Sequence, residues 1–271
     1  MQAAYYQAST MPAEPDFHSL TGPAATWQAD LRHRFFDRLV LKVVGVTGFI
    51  WLFFQGYFHT LRYPVYPVTT MPYTALDHAL PFQPESIALY FSLWFYVGIA
   101  PGLMLRMRDL LAYGAWAAAL CAGGLLIFHF WPTQVPARAP ETVSLPGFGL
   151  LAGIDGAGNA CPSLHVATAV FTAAWIDRLL RLMRAPFSLR IVNLIWLLGI
   201  AWSTMATRQH VALDVLAGTA WGALFAALSL WLGPRMGQRP EASMPSAPRY
   251  HSPPAQAAVE RFPAPRPKDA P

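Results

Sequence analysis

Three ionisable side chains stand at the edges of long apolar runs. One is His165, in Pro162-Ser163-Leu164-His165; the others are His210 and Asp214, which close the stretch that begins at Ser203. An ionisable group at membrane depth is expensive to keep and marks a functional site by default. His210 and Asp214 are four residues apart, a spacing that puts two side chains on one face of a helix, one turn from each other. A carboxylate so placed fixes the tautomer and orientation of an imidazole, the arrangement that activates a nucleophile. His165 adds a second, separately mounted imidazole able to give or take a proton near neutral pH. Ser163 precedes the apolar run that carries His165 and suits a helix N-cap; the same hydroxyl could instead donate to a phosphate oxygen. Cys161 is a nucleophile by residue type, yet its place beside Pro162 reads as a small packing residue. With only Cys121 for company it supports neither a disulfide framework nor a cysteine-rich metal site.

These residues need elements to hold them, and the composition says which kind. Of 271 residues, 55% are hydrophobic and 12% charged, whereas soluble domains carry about 25% charged residues. Apolar runs cover residues 39–57, 86–105, 110–131, a fourth that starts at the Pro-Ser-Leu-His stretch, 191–206 and 211–232. The fourth is clearly apolar only to Ile176, short for a hydrocarbon core of roughly 30 Å. It is extended through Asp177, Arg178 and Arg181, whose long side chains can snorkel. The expected fold class is all-α: a polytopic membrane protein, a six-transmembrane-helix bundle over 39–233 without β-sheet, because backbone groups in lipid must be satisfied within each span. Residues 1–38 read as a cytoplasmic N-terminal segment in which no cleavable signal peptide is visible. Residues 234–271 hold ten prolines and no apolar periodicity, and read as a Pro-rich disordered cytoplasmic tail.

Charge orients the bundle. Sixteen of the 19 Lys and Arg fall on one side of a six-span path, and only Arg62, Arg138 and Arg208 fall on the other. The positive-inside rule then puts both termini in the cytoplasm and the histidine stretches outside, in a plasma or inner membrane. The fourth and sixth spans both start at that outer surface, so their N-termini offer free N–H groups and positive dipole ends to an anion. A phosphate ester at a lipid headgroup is the natural ligand there; the lipid bilayer is the expected environment, no nucleic-acid partner is implied, and no oligomeric state can be read. Asp77, His78 and Glu85 lie in an outer loop and read as structural or gating residues.

Pro-Ser-Leu-His, followed about forty residues later by Ser-x6-His-x3-Asp, resembles the last two signature motifs of the type 2 phosphatidic acid phosphatase superfamily, commonly Pro-Ser-Gly-His and Ser-Arg-x5-His-x3-Asp. The surroundings, "LDHALPFQPES" upstream and "FWPTQVPARAP" between, are similar to the inositol phosphorylceramide synthase-like branch. The resemblance implies an integral membrane phosphatase or phosphotransferase of lipid metabolism, acting on lipid phosphate esters through a phosphohistidine intermediate and needing no cofactor or metal. Carried over residue by residue, it implies His210 as nucleophile, Asp214 as its orienting partner and His165 as general acid. The family's Lys-x6-Arg-Pro motif is absent and Thr204 stands where the last motif usually has Arg. Ser163, Arg138 and Arg208 are therefore the expected substrate-binding residues, the two arginines replacing the lost cationic clamp.

The enzyme has two variants, one giving the phosphate group to water and one giving it to a second lipid alcohol. Two other classes stay open. A proton-coupled transporter would use the three ionisable residues as a relay, although no inverted repeat is visible. A metal site would use His165, His210 and Asp214 as ligands.

Overall fold

The structure, a computed structural model, describes residues 26–137 and 157–232. Helix α1 (Trp27–Phe36) lies within residues 1–38, the segment read as N-terminal to the first span. Thr26 caps it by accepting from the Ala29 N–H at 3.4 Å, and an Asp30–Arg34 ion pair of 2.9 Å spans one turn. Every apolar run forms a helix: α2 (Leu39–Arg62), α4 (Ile87–Gly102), α5 (Met107–Phe130), α6 (Leu164–Leu182), α7 (Phe187–Ala206) and α8 (Ala212–Leu232), with the short α3 (Ala75–Ala79) between the first two.

Four of these, α2, α5, α7 and α8, are long and apolar enough to cross a membrane. The other two of the expected six fall short for different reasons. Helix α4 has 16 residues, about 24 Å at 1.5 Å per residue. Helix α6 carries Asp177, Arg178 and Arg181 in its last turns, where Asp177 pairs with Arg181 and with Arg190 of α7, each at 2.6 Å. Helix α6 is also the most enclosed of the set. Its buried residues, from Leu164 through Val166, Ala167 and Phe171 to Trp175 and Leu179, point around the whole barrel of the helix, the pattern of an element inside a bundle. It packs against α4, α5, α7 and α8.

The closest of these contacts is with α8, and glycine makes it possible. A Cβ on Gly218 would collide with the Ser163 carbonyl, and one on Gly222 with the Ala167 carbonyl. The two glycines are four apart, so one face of α8 is bare where α6 crosses, the small-xxx-small arrangement of helices in lipid. Buried polar links tie the remaining helices: Tyr96 Oη donates to Asn193 Oδ1 at 2.6 Å, and Trp175 Nε1 to Ser229 Oγ at 3.0 Å. At the opposite end from the histidines, Lys42 Nζ donates to the Arg34 and Gly102 carbonyls at 2.7 and 2.8 Å, joining α1, α2 and α4.

The expectation of helices alone needs one correction. Thr69–Thr70 (β1) and Thr133–Gln134 (β2) pair as a two-stranded parallel ribbon. The loops after α2 and α5 run outside the helices, and their backbone groups find partners in each other. The Thr133 hydroxyl then accepts from the Cys161 N–H at 2.8 Å, and Met71, Val135, Ala160, Cys161 and Val211 close into a small apolar cluster. This shelf holds both ends of the chemistry: Cys161 leads into Pro162-Ser163, and Val211 follows His210.

Candidate active site

Helix α6 starts where the sequence says it should. The Ser163 side chain accepts from the Val166 N–H at 3.3 Å, the N-cap role, and the Ser163 N–H donates to the Asp214 carbonyl at 3.0 Å. His165, one residue into the helix, is thereby pinned beside the first turn of α8.

His210 is placed differently from the one-face-of-a-helix expectation. Helix α8 begins at Ala212, so His210 lies in the turn before it. The chain leaves α7 through Thr207 and Arg208, which takes a left-handed φ of 57°, and the Gln209 and His210 N–H groups both donate to the Thr204 carbonyl. The pairing with Asp214 survives because Asp214 turns back on the helix start. Its Oδ2 accepts from the Val211 N–H at 3.1 Å and lies 3.5 Å from His210 Nδ1. An acidic residue in the first turn is favoured by the dipole and by the orphan amides there. Asp77 of α3 contributes a second carboxylate: Oδ1 accepts from the Ala212 N–H at 2.8 Å, while Oδ2 closes a capping box with Thr74. These N–H groups of α8, expected to be open to an anion, are thus taken by the protein's own carboxylates.

The structure brings His165, His210 and Asp214 together. His210 Nε2 faces His165 Nδ1 at 3.4 Å, with ring centroids 5.5 Å apart. His210 and Asp214 side chains are 5% and 0% exposed. At 3.5 Å the two groups are close but do not form a hydrogen bond; catalytic hydrogen bonds commonly tighten when substrate arrives. The fourth member of the line was invisible in the motif. Tyr90, 2% exposed in the first turn of α4, places its hydroxyl 2.7 Å from His165 Nε2 and its ring centroid 4.9 Å from the imidazole. Trp94, one turn further along, meets the same ring edge-on at 6.4 Å. No local pattern marks Tyr90, which sits in an apolar run 75 residues before its partner.

The expected cationic residues are placed as follows. Arg208 donates from Nη1 to the Asp77 carbonyl and from Nη2 to the Leu80 carbonyl, both at 2.8 Å, and lies over the Tyr73 ring. It clasps α3 onto the turn that carries His210. Arg62 lies over the Phe58 ring at 5.0 Å. Arg138 lies outside the described residues. Cys161 is buried with its thiol against the Asp214 carboxylate; burial first, and that negative charge second, push it up to about 11. It is therefore a neutral thiol at physiological pH, unsuited to attack. Among the described residues, no group of three or more His, Cys, Asp and Glu is arranged to hold a metal ion.

A cavity of about 560 Å³ opens beside the histidines. It runs between α2, α4, α5 and α6, from Tyr57, Tyr90 and His165 at one end to Lys42 and Met107 at the other. Along α2 that is some fifteen residues, or about 22 Å. The walls between are apolar, with Phe53, Leu93 and Trp94 among them. His165 lines this cavity; His210 and Asp214 do not.

The family model described as the PAP2 superfamily matches residues 45–237 of the chain. No curated protein and no solved structure matches it.

Proposed function

This chain belongs to the PAP2 superfamily, and from that premise we propose that it is an integral membrane phosphatase or phosphotransferase acting on lipid phosphate esters through a phosphohistidine on His210. Membership supports phosphatase or phosphotransferase chemistry on phosphate esters. The observation that carries the finer reading is the line Asp214, His210, His165, in which the first two side chains are buried and His210 Nε2 faces His165 Nδ1 at 3.4 Å.

Asp214 keeps the His210 proton on Nδ1, which leaves the Nε2 lone pair free to attack phosphorus. As the P–N bond forms, the P–O bond to the alcohol breaks, and His165 gives its Nδ1 proton to the departing oxygen. The alcohol leaves and the phosphoryl group stays on His210. In the second half, water or a second alcohol loses its proton to His165 and attacks phosphorus. The P–N bond breaks and both imidazoles return to their starting states. The 3.4 Å between the nitrogens is too small for a phosphorus and its oxygens, so the rings part when substrate binds. The Ser163 hydroxyl and the positive end of α6 face the phosphoryl oxygens. Arg208 supports the site by fixing the His210 turn, and Arg138 is the proposed cation.

The cavity favours a lipid. It meets the site at His165, the group that protonates the leaving oxygen, so the hydrocarbon belongs to the alcohol side of the ester. Six crossings, with both termini cytoplasmic and the site on the far side of the membrane, follow from the charge asymmetry and from α4 and α6 completing the bundle. Transfer to a second lipid alcohol, as in the inositol phosphorylceramide synthase-like branch, is the alternative, and the same cavity would receive that acceptor.

The test is release of inorganic phosphate by the purified protein in lipid nanodiscs, from a panel of lipid phosphates with a chelator present and acceptor alcohols added in parallel. Chelator-resistant release, or a phosphorylated acceptor, is the expected result. Release abolished by the chelator, or no turnover of any phosphate ester, overturns the reading.

A further inference from the structure

We propose that Tyr90 is a positioning residue for His165, and that the two histidines take opposite roles because their outer partners differ: a carboxylate behind one, a phenol behind the other. This rests on the reading of His165 as the group that gives and then takes the proton.

The geometry is a line of four side chains. Asp214 Oδ2 stands 3.5 Å from His210 Nδ1, His210 Nε2 stands 3.4 Å from His165 Nδ1, and His165 Nε2 stands 2.7 Å from Tyr90 Oη. Each histidine thus has one nitrogen turned to the gap between the rings and one turned to a fixed partner. A ring held through its outer nitrogen can present only the inner one to substrate.

The partners differ in charge. An ionised carboxylate accepts and carries a negative charge, which stabilises the positive charge that His210 gains when phosphorus bonds to Nε2. A phenol accepts as well, but neutrally. When His165 is protonated on both nitrogens, Nε2–H donates to Tyr90 Oη and Nδ1–H faces the leaving oxygen. Once that proton has gone, Nε2–H stays on Tyr90 and the Nδ1 lone pair becomes the base for the incoming water or alcohol. The working nitrogen is the same in both half-reactions. A carboxylate at position 90 would hold the ring positively charged and oppose the second half. Packing supports the same conclusion: Tyr90 is 2% exposed and Phe82, Ile87 and Phe91 pack around it, so the hydroxyl is delivered to Nε2 by a rigid ring.

The experiment compares wild type, Tyr90→Phe, His165→Ala and the double variant in single-turnover formation of the phosphoenzyme. Two substrates are used: a lipid phosphate with an aliphatic alcohol, which needs a proton to leave, and p-nitrophenyl phosphate, whose phenolate does not. Tyr90→Phe is expected to slow formation on the aliphatic substrate by about 10- to 100-fold, a part of the usual acid–base contribution. On p-nitrophenyl phosphate the loss should be under about threefold, and in the His165→Ala background Tyr90→Phe should add almost nothing, because coupled residues are not additive. Equal losses on both substrates, or additivity with His165→Ala, overturn the proposal and make Tyr90 a packing residue. Should thermal unfolding show that Tyr90→Phe does not fold, Tyr90→His keeps a ring with a neutral acceptor. Aliphatic-substrate activity within about tenfold of wild type then supports the proposal, and loss on both substrates overturns it. A wild type that forms no phosphoenzyme from either substrate removes the functional reading itself and this proposal with it.

Discussion

His165 and His210 are the same residue type a few ångströms apart, and almost everything about their mounting differs. His165 is inside a helix, one residue past a serine cap, in contact with the apolar cavity and with a neutral phenol. His210 is in an irregular turn outside any helix, away from the cavity, against a fully buried carboxylate. The lesson is that identical imidazoles are set up for different roles, nucleophile and acid–base group in the reaction proposed above, by what stands behind each ring. The residues that shape the turn, Thr204 at the end of α7, Arg208 in the turn and Asp77 of α3, therefore belong to the candidate site as much as the histidines do.

The sharpest way to break that comparison is to remove the rings. His210→Ala should abolish turnover and leave no phosphorylated intermediate, measured by acid-labile phosphate on the protein. If near-normal turnover persists, the assignment of nucleophile is wrong. His165→Ala should leave a form that still phosphorylates, with both formation and decay of the intermediate slowed by about 10²–10⁴. Asp214→Asn should cost a similar factor of about 10²–10⁴ while keeping the fold, since an amide oxygen can still accept from the Val211 N–H. Rapid-quench kinetics would separate the two: Asp214→Asn acts on formation first, His165→Ala on both steps.

A smaller effect is expected from pushing the two mountings apart. Gly222→Ala puts a methyl group against the Ala167 carbonyl, a backbone atom that cannot rotate away. The separation of α6 and α8 should increase, at a stability cost of about 1–3 kcal/mol by the usual scale of overpacking. The check is a lowered thermal midpoint in nanodiscs together with reduced activity. Unchanged stability would mean that the helices approach each other less closely than described.

The smallest effect concerns Cys161, the thiol behind Asp214. Because burial and Asp214 raise it to about 11, alkylation by iodoacetamide should be negligible at pH 7 and rise only in strongly alkaline solution. The sign for stability follows: the folded state holds this proton more tightly than the unfolded chain. The stabilisation is fully present below the ordinary value of 9.0 and is lost as pH rises through about 11. Cys161→Ala removes a single buried sulfur atom that takes no part in the proposed reaction and should keep activity within about threefold; rapid alkylation at pH 7 would show that the thiol is not held neutral.

Much of this was written in the sequence alone. Leucine, valine, phenylalanine and tryptophan in six long runs force helices, because a backbone in lipid has no other partner for its N–H and C=O groups. The placement of Lys and Arg gives the orientation expected for them, and Pro-Ser-Leu-His with His-x3-Asp points to the superfamily whose model matches residues 45–237. Ser163 as a cap was legible because capping is a local, four-residue interaction. Tertiary structure decided what local pattern cannot carry. Tyr90 reaches His165 only because α4 packs on α6. Arg208 was expected at the substrate and is placed on the Asp77 and Leu80 carbonyls, since a guanidinium beside unpaired carbonyls finds its partners there. His210 was expected on a helix and sits in the turn before one, because the backbone reverses at Arg208 before α8 starts. The ribbon between β1 and β2 joins loops more than sixty residues apart. Motif spacing nominates the residues; which atom of each faces which partner depends on helices meeting at Gly218 and Gly222, a contact between chain segments that no stretch of sequence contains by itself.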